Sequence, residues 1–294
     1  PIRSIRTHLK RHTEIGTKDI FLVLSKGNNM MAETFLETIV RHKQQEVAAA
    51  RRETPREKLL ETIHQDVPRQ SLLQAMRNPE QVNIIAEIKR ASPSKGILCE
   101  SLDAAEMARR YEKAGAAAIS VLTDRHFFKG RPEDLRQVKA VTTIPVLRKD
   151  FIISEYQVLE SAAMGADAIL LIVRILTLDQ LTRYLDLCRD LKLEALVEVH
   201  NPEDISLALK TNARMIGINN RDLSTFETHL SRALDMGKML GPHQIPVVAS
   251  GIHSREDIVI NCRAGMHNFL IGESLVRASH PGDRLKSYLE VQIV

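Results

Sequence analysis

From residue 83 onward, short apolar runs of strand length recur along the chain, separated by stretches of helical periodicity. The runs are "NIIAEIK" (83–89), "AAISVL" (117–122), "IPVLRK" (144–149), "AILLIV" (168–173), "EALVEV" (194–199), "RMIGIN" (214–219), "IPVVAS" (245–250) and "NFLIG" (268–272). Between them lie amphipathic segments such as "SLDAAEMARRYEKAG" (101–115) and "TLDQLTRYLDLCRDLK" (177–192), whose apolar spacing is that of a helix. A weak internal repeat precedes four runs: "AGAAAI" (114–119), "MGADAI" (164–169), "TNARMI" (211–216) and "AGMHNFL" (264–270). It predicts a helix C-cap where Gly, or Asn212 in its place, turns left-handed before the chain enters a strand. Eight such units predict an α/β fold, a (β/α)8 TIM barrel. The competing doubly wound sheet wants a GxGxxG after its first strand, and none follows.

Ahead of residue 83 the pattern is helical only. In 31–52, Leu36, Ile39, Val40 and Val47 recur at spacings of three, four and seven, which predicts a helix. A second is expected over 54–63, with Thr54 as N-cap and Pro55 at the first helical position, and a short third over 71–79. The organisation read from this is a single barrel domain over 31–294, with additional N-terminal helices within 31–80. Residues 1–30 would be a flexible basic extension.

The first strand shows where chemistry is expected. Side chains alternate along a strand, so Ile84, Ala86 and Ile88 share one face while Ile85, Glu87 and Lys89 share the other. In a barrel the outer face packs on helices and must be apolar, and the inner face turns functional toward the C-terminal end. The pattern recurs with Lys149 ending the third strand, Glu198 the fifth and Asn219 the sixth. Burying charges without partners costs several kcal/mol each, so two carboxylates, two ammonium groups and an amide aimed at one mouth point to catalysis. After the seventh and eighth strands, "ASGIHSRED" (249–257) and "IGESL" (271–275) offer small residues whose backbone N–H groups can approach an anion, the usual phosphate site of such barrels. Ser92 in the first loop could add a hydroxyl.

Composition narrows the function class. The chain has 294 residues, 44% hydrophobic and 27% charged, with no Trp and 4% aromatic residues. That suits a globular protein and argues against stacking platforms for single-stranded nucleic acid. Residues 1–30 carry six Lys or Arg against two acidic residues, an excess equal to the whole formal net charge of +4. The basic pI of about 9.0 therefore describes the extension and not the body, and no nucleic acid partner is expected. Cys99, Cys188 and Cys262 are too far apart for a CxxC pair and read as free thiols in a reducing compartment. "IFLVL" (20–24) is too short to span a membrane, so the expected location is the cytoplasm. The histidines are scattered without HxH or HExxH spacing and read as surface or loop residues, so no metal is expected. No GxSxG turn occurs.

Seven segments, "IIAEIKRASPSKG", "ISVLTD…FFKG", "PVLRKDFII…YQ", "GADAILLIV", "LVEVHN", "IGINNRDL" and "FLIGESL", resemble in order those of the indole-3-glycerol phosphate synthase family. The likeness runs from about residue 31 to the C-terminus. It implies ring closure, decarboxylation and dehydration of 1-(2-carboxyphenylamino)-1-deoxyribulose 5-phosphate in tryptophan biosynthesis, with no metal or organic cofactor. It implies a small phosphorylated substrate as the partner, no membrane, and a monomer or weak homo-oligomer. By resemblance Lys149 would be the general acid. Glu198 would be the general base or stabilise a cationic intermediate. Lys89 would bind the anthranilate carboxylate or assist dehydration, while Glu87 and Asn219 orient these groups. Ser92, Ser250, Gly251, Gly272 and the backbone N–H of Glu273 would hold phosphate, and Phe128, Phe151, Leu170 and Leu223 would frame the aromatic ring. One position departs: the family reads Glu-Ser-Gly-Ile after the seventh strand, and here Ala249 replaces the glutamate. A drifted relative on the same barrel, or a basic-tailed binding scaffold without enzymatic activity, are the other readings the residues allow.

Overall fold

Three helices precede the barrel: α1 (Phe35–Glu53), α2 (Arg56–Glu61) and α3 (Leu72–Ala75). The computed structural model describes residues 34–63, 68–221, 228 and 231–293, so the basic segment 1–30 and Leu223 lie outside the described residues. Helix α1 starts at a capping box in which Thr34 and Glu37 satisfy each other's backbone N–H, and it buries Ile39, Val40, Lys43 and Val47. The expected cap of the second helix is shifted. Thr54 ends α1, its N–H donating to the Ala50 carbonyl at 2.8 Å, and Pro55 occupies the N-cap position. Thr54 is extended, as residues before proline are, and its N–H is already committed to the helix behind it. Helix α3 is shorter than expected. It lies at the N-terminal end of the barrel, where Glu194 accepts from Ser71 Oγ and the Leu73 N–H, each at 2.7 Å.

The eight strands are β1 (Asn83–Ile88), β2 (Ala118–Leu122), β3 (Val146–Lys149), β4 (Ala168–Ile172), β5 (Glu194–Val199), β6 (Met215–Asn219), β7 (Ile245–Ala249) and β8 (Asn268–Ile271). Each pairs in parallel with its sequence neighbour, and β8 pairs with β1 to close the barrel. At that seam Asn83 Nδ2 donates to Asn268 Oδ1 at 2.9 Å. Between the strands run α4 (Ala104–Ala114), α5 (Pro132–Val141), α6 (Glu155–Ala163), α7 (Leu178–Asp190), α8 (Pro202–Ala208), α9 (Ser231–Gly237) and α10 (Arg255–Arg263). Two more, α11 (Glu273–Val276) and α12 (Pro281–Leu289), follow β8. Residues on the outer strand face, such as Ile84, Ala86, Ile119 and Ile216, are fully buried under this helical layer, as a barrel requires.

Three predicted left-handed caps are present: Gly115 at φ +99°, Gly165 at +84° and Gly265 at +81°. Asn212 is not left-handed. There the chain turns through bonds of three-residue span, Lys210 N–H to Leu207 and Thr211 N–H to Ala208. The Thr211 hydroxyl then accepts from the Ala213 N–H at 3.2 Å, so a side chain replaces the left-handed residue. Lys192, at φ +57°, makes the corresponding turn after α7. Cys99, Cys188 and Cys262 are free, and no helix among the described residues is long and apolar enough to cross a membrane.

Candidate active site at the C-terminal mouth

A cavity opens at the C-terminal ends of the strands. Of the fourteen residues expected to form the site, all thirteen that are described line it: Glu87, Lys89, Ser92, Phe128, Lys149, Phe151, Leu170, Glu198, Asn219, Ser250, Gly251, Gly272 and Glu273. The alternation that sends Ile84, Ala86 and Ile88 outward delivers Glu87 to the interior, where its side chain is only 4% exposed. Lys89 Nζ lies 2.6 Å from Glu87 Oε1, and Lys149 Nζ lies 4.0 Å from Glu87 Oε2. Burial by itself favours the neutral acid, but Lys89, Lys149 and, more weakly, Arg221 outweigh it and hold the Glu87 carboxyl below the ordinary carboxylate range. Glu87 is thus an anion between two cations. On the other side Glu198 accepts from Asn219 Nδ2 at 3.1 Å.

The loops after β7 and β8 are built for close approach. Ser250 has φ +66° and Gly251 φ +84°. A left-handed serine is disfavoured by about 1–2 kcal/mol, and here Asn220 Nδ2 donates to the Ser250 carbonyl at 3.2 Å and helps to hold it. Gly272 is required for a different reason. A Cβ there would lie 2.4 Å from Glu87 Oε1, so the loop after β8 and the Glu87–Lys89 pair share the space a methyl would fill. Ser92 is buried, and its hydroxyl has no hydrogen-bond partner among the described residues. The rings of Phe128 and Phe151 sit 6.1 Å apart, tilted by 41°, with Leu170 at the cavity wall. Ala249 is buried in β7, in register with Asn219 on one side and Leu270 on the other.

The sequence reading missed several contributors. Helix α1 supplies Phe35, Leu36 and Ile39 to the wall. Arg221, two residues past Asn219, donates from Nη1 to Ser94 Oγ at 2.6 Å and places Nη2 3.5 Å from Glu273 Oε2, which joins the first loop to the last. A charge just beyond a strand end was the available signal. His200 lies in the loop just after β5, as the loop reading of the histidines allows, but it is not at the surface: it is 1% exposed, with Nε2 3.4 Å from Glu198 Oε1. Burial pushes its imidazole below the ordinary histidine range, although Glu198 opposes this. No cluster of three or more potential metal ligands occurs among the described residues.

The family model for indole-3-glycerol phosphate synthase matches residues 36–287, the barrel together with α1 to α3. This chain belongs to the indole-3-glycerol phosphate synthase family. Among its relatives, the indole-3-glycerol phosphate synthase of Desulfosudis oleivorans is 52% identical, over 86% of this chain and 98% of that protein. That of Syntrophobacter fumaroxidans is 50% identical, over 84% of this chain and 94% of its own length. More distant solved structures share the fold alone. A thiamine phosphate pyrophosphorylase from Pyrococcus furiosus superposes with a TM-score of 0.56 at 13% identity, covering 71% of this chain and 95% of that one. A tryptophan synthase subunit alpha from Legionella pneumophila gives 0.54 at 14% identity, covering 74% of this chain and 94% of that one. Members of the indole-3-glycerol phosphate synthase family are carboxy-lyases, and this chain is an enzyme of that class.

Proposed function

We propose that the mouth cavity converts 1-(2-carboxyphenylamino)-1-deoxyribulose 5-phosphate to indole-3-glycerol phosphate, CO2 and water, with the labour divided among the residues as follows. The observation that carries this division is the placement of Lys149 and Lys89 on the two oxygens of Glu87, with Glu198 and Asn219 in the same cavity. The ring carbon bearing the carboxylate attacks the ribulose carbonyl carbon, and Lys149 donates a proton to the carbonyl oxygen as it becomes a hydroxyl. The new bond leaves a cationic intermediate that Glu198 stabilises. Loss of CO2 returns the C–C electron pair to the ring. The hydroxyl then leaves as water, Lys89 assisting, while Glu198 accepts the proton whose removal completes the indole. Glu87 orients both lysines, and Asn219 orients Glu198.

Phosphate is held by Ser92, Ser250, Gly251, Gly272 and the Glu273 backbone N–H, and the aryl ring lies against Phe128, Phe151 and Leu170, with Leu223 assigned by resemblance. The enzyme works in the cytoplasm without a cofactor, as a monomer or weak homo-oligomer. Neither a drifted relative nor a basic binding scaffold is favoured by any observation. Steady-state turnover of the substrate, followed by appearance of indole absorbance, tests the reading. Lys149→Met keeps the apolar stem and removes the proton donor, so kcat should fall by at least ~10² with the fold intact. Near-native turnover would reduce Lys149 to a rim residue.

A further inference from the structure

Lys43 is a lysine on the buried stripe of α1, its side chain only 3% exposed. Its Nζ lies 2.9 Å from Asp124 Oδ2 in the loop after β2 and 3.0 Å from Asp150 Oδ1 in the loop after β3, with Glu46 Oε2 of its own helix at 2.5 Å. Burial works against its charge, but the three carboxylates prevail and hold its pKa above the ordinary lysine value. The ammonium therefore stays charged inside the protein, a costly arrangement unless it is needed for specificity.

What the two aspartates do shows the need. Asp124 Oδ1 accepts from the Phe127 N–H at 2.8 Å and the Phe128 N–H at 3.1 Å. Asp150 Oδ1 accepts from the Phe151 N–H at 2.8 Å, while its Oδ2 accepts from Thr123 Oγ1 and Arg148. The backbones of Phe128 and Phe151, two of the rings that line the cavity, are each fastened to a carboxylate that Lys43 holds. Asp150 also directly follows Lys149. Lys43 does not itself line the cavity, although Asp150, which it binds, does, and the same helix contributes Phe35, Leu36 and Ile39 to the wall.

We infer that Lys43 is a positioning residue for the aryl end of the site: through Asp124 and Asp150 it sets the separation of Phe128 and Phe151, and so selects for the aromatic part of the ligand. This rests on the reading of the cavity as an aryl and phosphate site. The full chain and its Lys43→Met variant are titrated calorimetrically with indole-3-glycerol phosphate and with glycerol 3-phosphate, which lacks the ring. The variant should bind the indole compound at least tenfold more weakly and glycerol 3-phosphate within twofold of the parent. Equal weakening of both, or of neither, overturns the inference.

Amide hydrogen exchange supplies a readout that needs no ligand. Exchange at Phe127, Phe128 and Phe151 should quicken at least tenfold relative to Val247 in β7, and unchanged exchange overturns the inference whatever the ligand results. A parent chain that binds neither compound would instead count against the functional reading, with the exchange result still deciding the role of Lys43. If Lys43→Met does not fold, Asp124→Asn loosens only one of the two arms. It should then quicken Phe127 and Phe128 but not Phe151, and uniform or absent quickening overturns the inference.

Discussion

Gly272→Ala tests whether the phosphate-type loop and the Glu87 pair are one mechanical unit. The added Cβ would stand 2.4 Å from Glu87 Oε1 and 3.1 Å from both Glu87 Cβ and Cδ. Ordinary contact begins near 3.4 Å, so the carboxylate must move by about 1 Å, and misplacement on that scale costs roughly 10² in rate. It cannot move without consequence, because the displaced oxygen is the one Lys89 holds at 2.6 Å. Gly272 has φ −127°, outside the left-handed region, so the collision is the main source of the expected loss. We expect kcat to fall about 10²-fold, with about 1–3 kcal/mol of stability lost to overpacking. Gly165→Ala is the control. It sits at φ +84° with nothing within 4 Å of its Cβ, so it should lose about 1–2 kcal/mol of stability with kcat unchanged. Steady-state kinetics and denaturant unfolding on both variants separate the effects. A Gly272→Ala enzyme with kcat within threefold of the parent would refute the reasoning.

Ala249→Glu restores the carboxylate typical of the family and should raise kcat/KM about tenfold, or about 1.4 kcal/mol of transition-state stabilisation; a slower variant would mean the site has re-formed around alanine. His200 makes stability pH-dependent: its folded pKa lies below the unfolded value, so its contribution is complete above about pH 6.5 and is lost as pH falls and only the unfolded chain takes up the proton. Unfolding free energies should fall by up to ~1.4 kcal/mol per pH unit between pH 6.5 and 5, and His200→Gln should flatten that slope. His267, also shifted down but more exposed, adds less. A chain begun at Met31 should fold and turn over like the full one, and a loss of activity on that truncation would give the basic segment a part in the enzyme.

The barrel and its polar mouth were legible because both rest on local alternation. Glu87, Lys149, Glu198 and Asn219 interrupt apolar runs at the one end where a barrel places its chemistry, and no knowledge of partners is needed to see it. Arg221 showed only as a charge just beyond a strand end and His200 not at all, since what matters about them is a contact to another loop or the burial of a ring beside Glu198, neither of which leaves a periodic trace. Lys43 is an intermediate case. It falls between Ile39 and Val47 on a stripe of spacing four, and a lysine at a core position is a visible anomaly. The explanation for it lies 81 residues away at Asp124. Asn212 failed for the opposite reason: a residue able to turn left-handed need not do so where a threonine hydroxyl can close the turn.

The seam between β1 and β8 also governs the order of assembly. Asn83 and Asn268, bonded across it, are 185 residues apart, and Glu87 meets Gly272 at the same junction. Pairing over such a span carries a large loop-closure penalty and slows folding. A chain halted before β8 would leave β1 and β7 as open edges, available to other unfinished chains. It would also lack Gly272 beside Glu87, so the cavity wall would be incomplete. Edge protection and completion of the cavity are acquired in the same closing event.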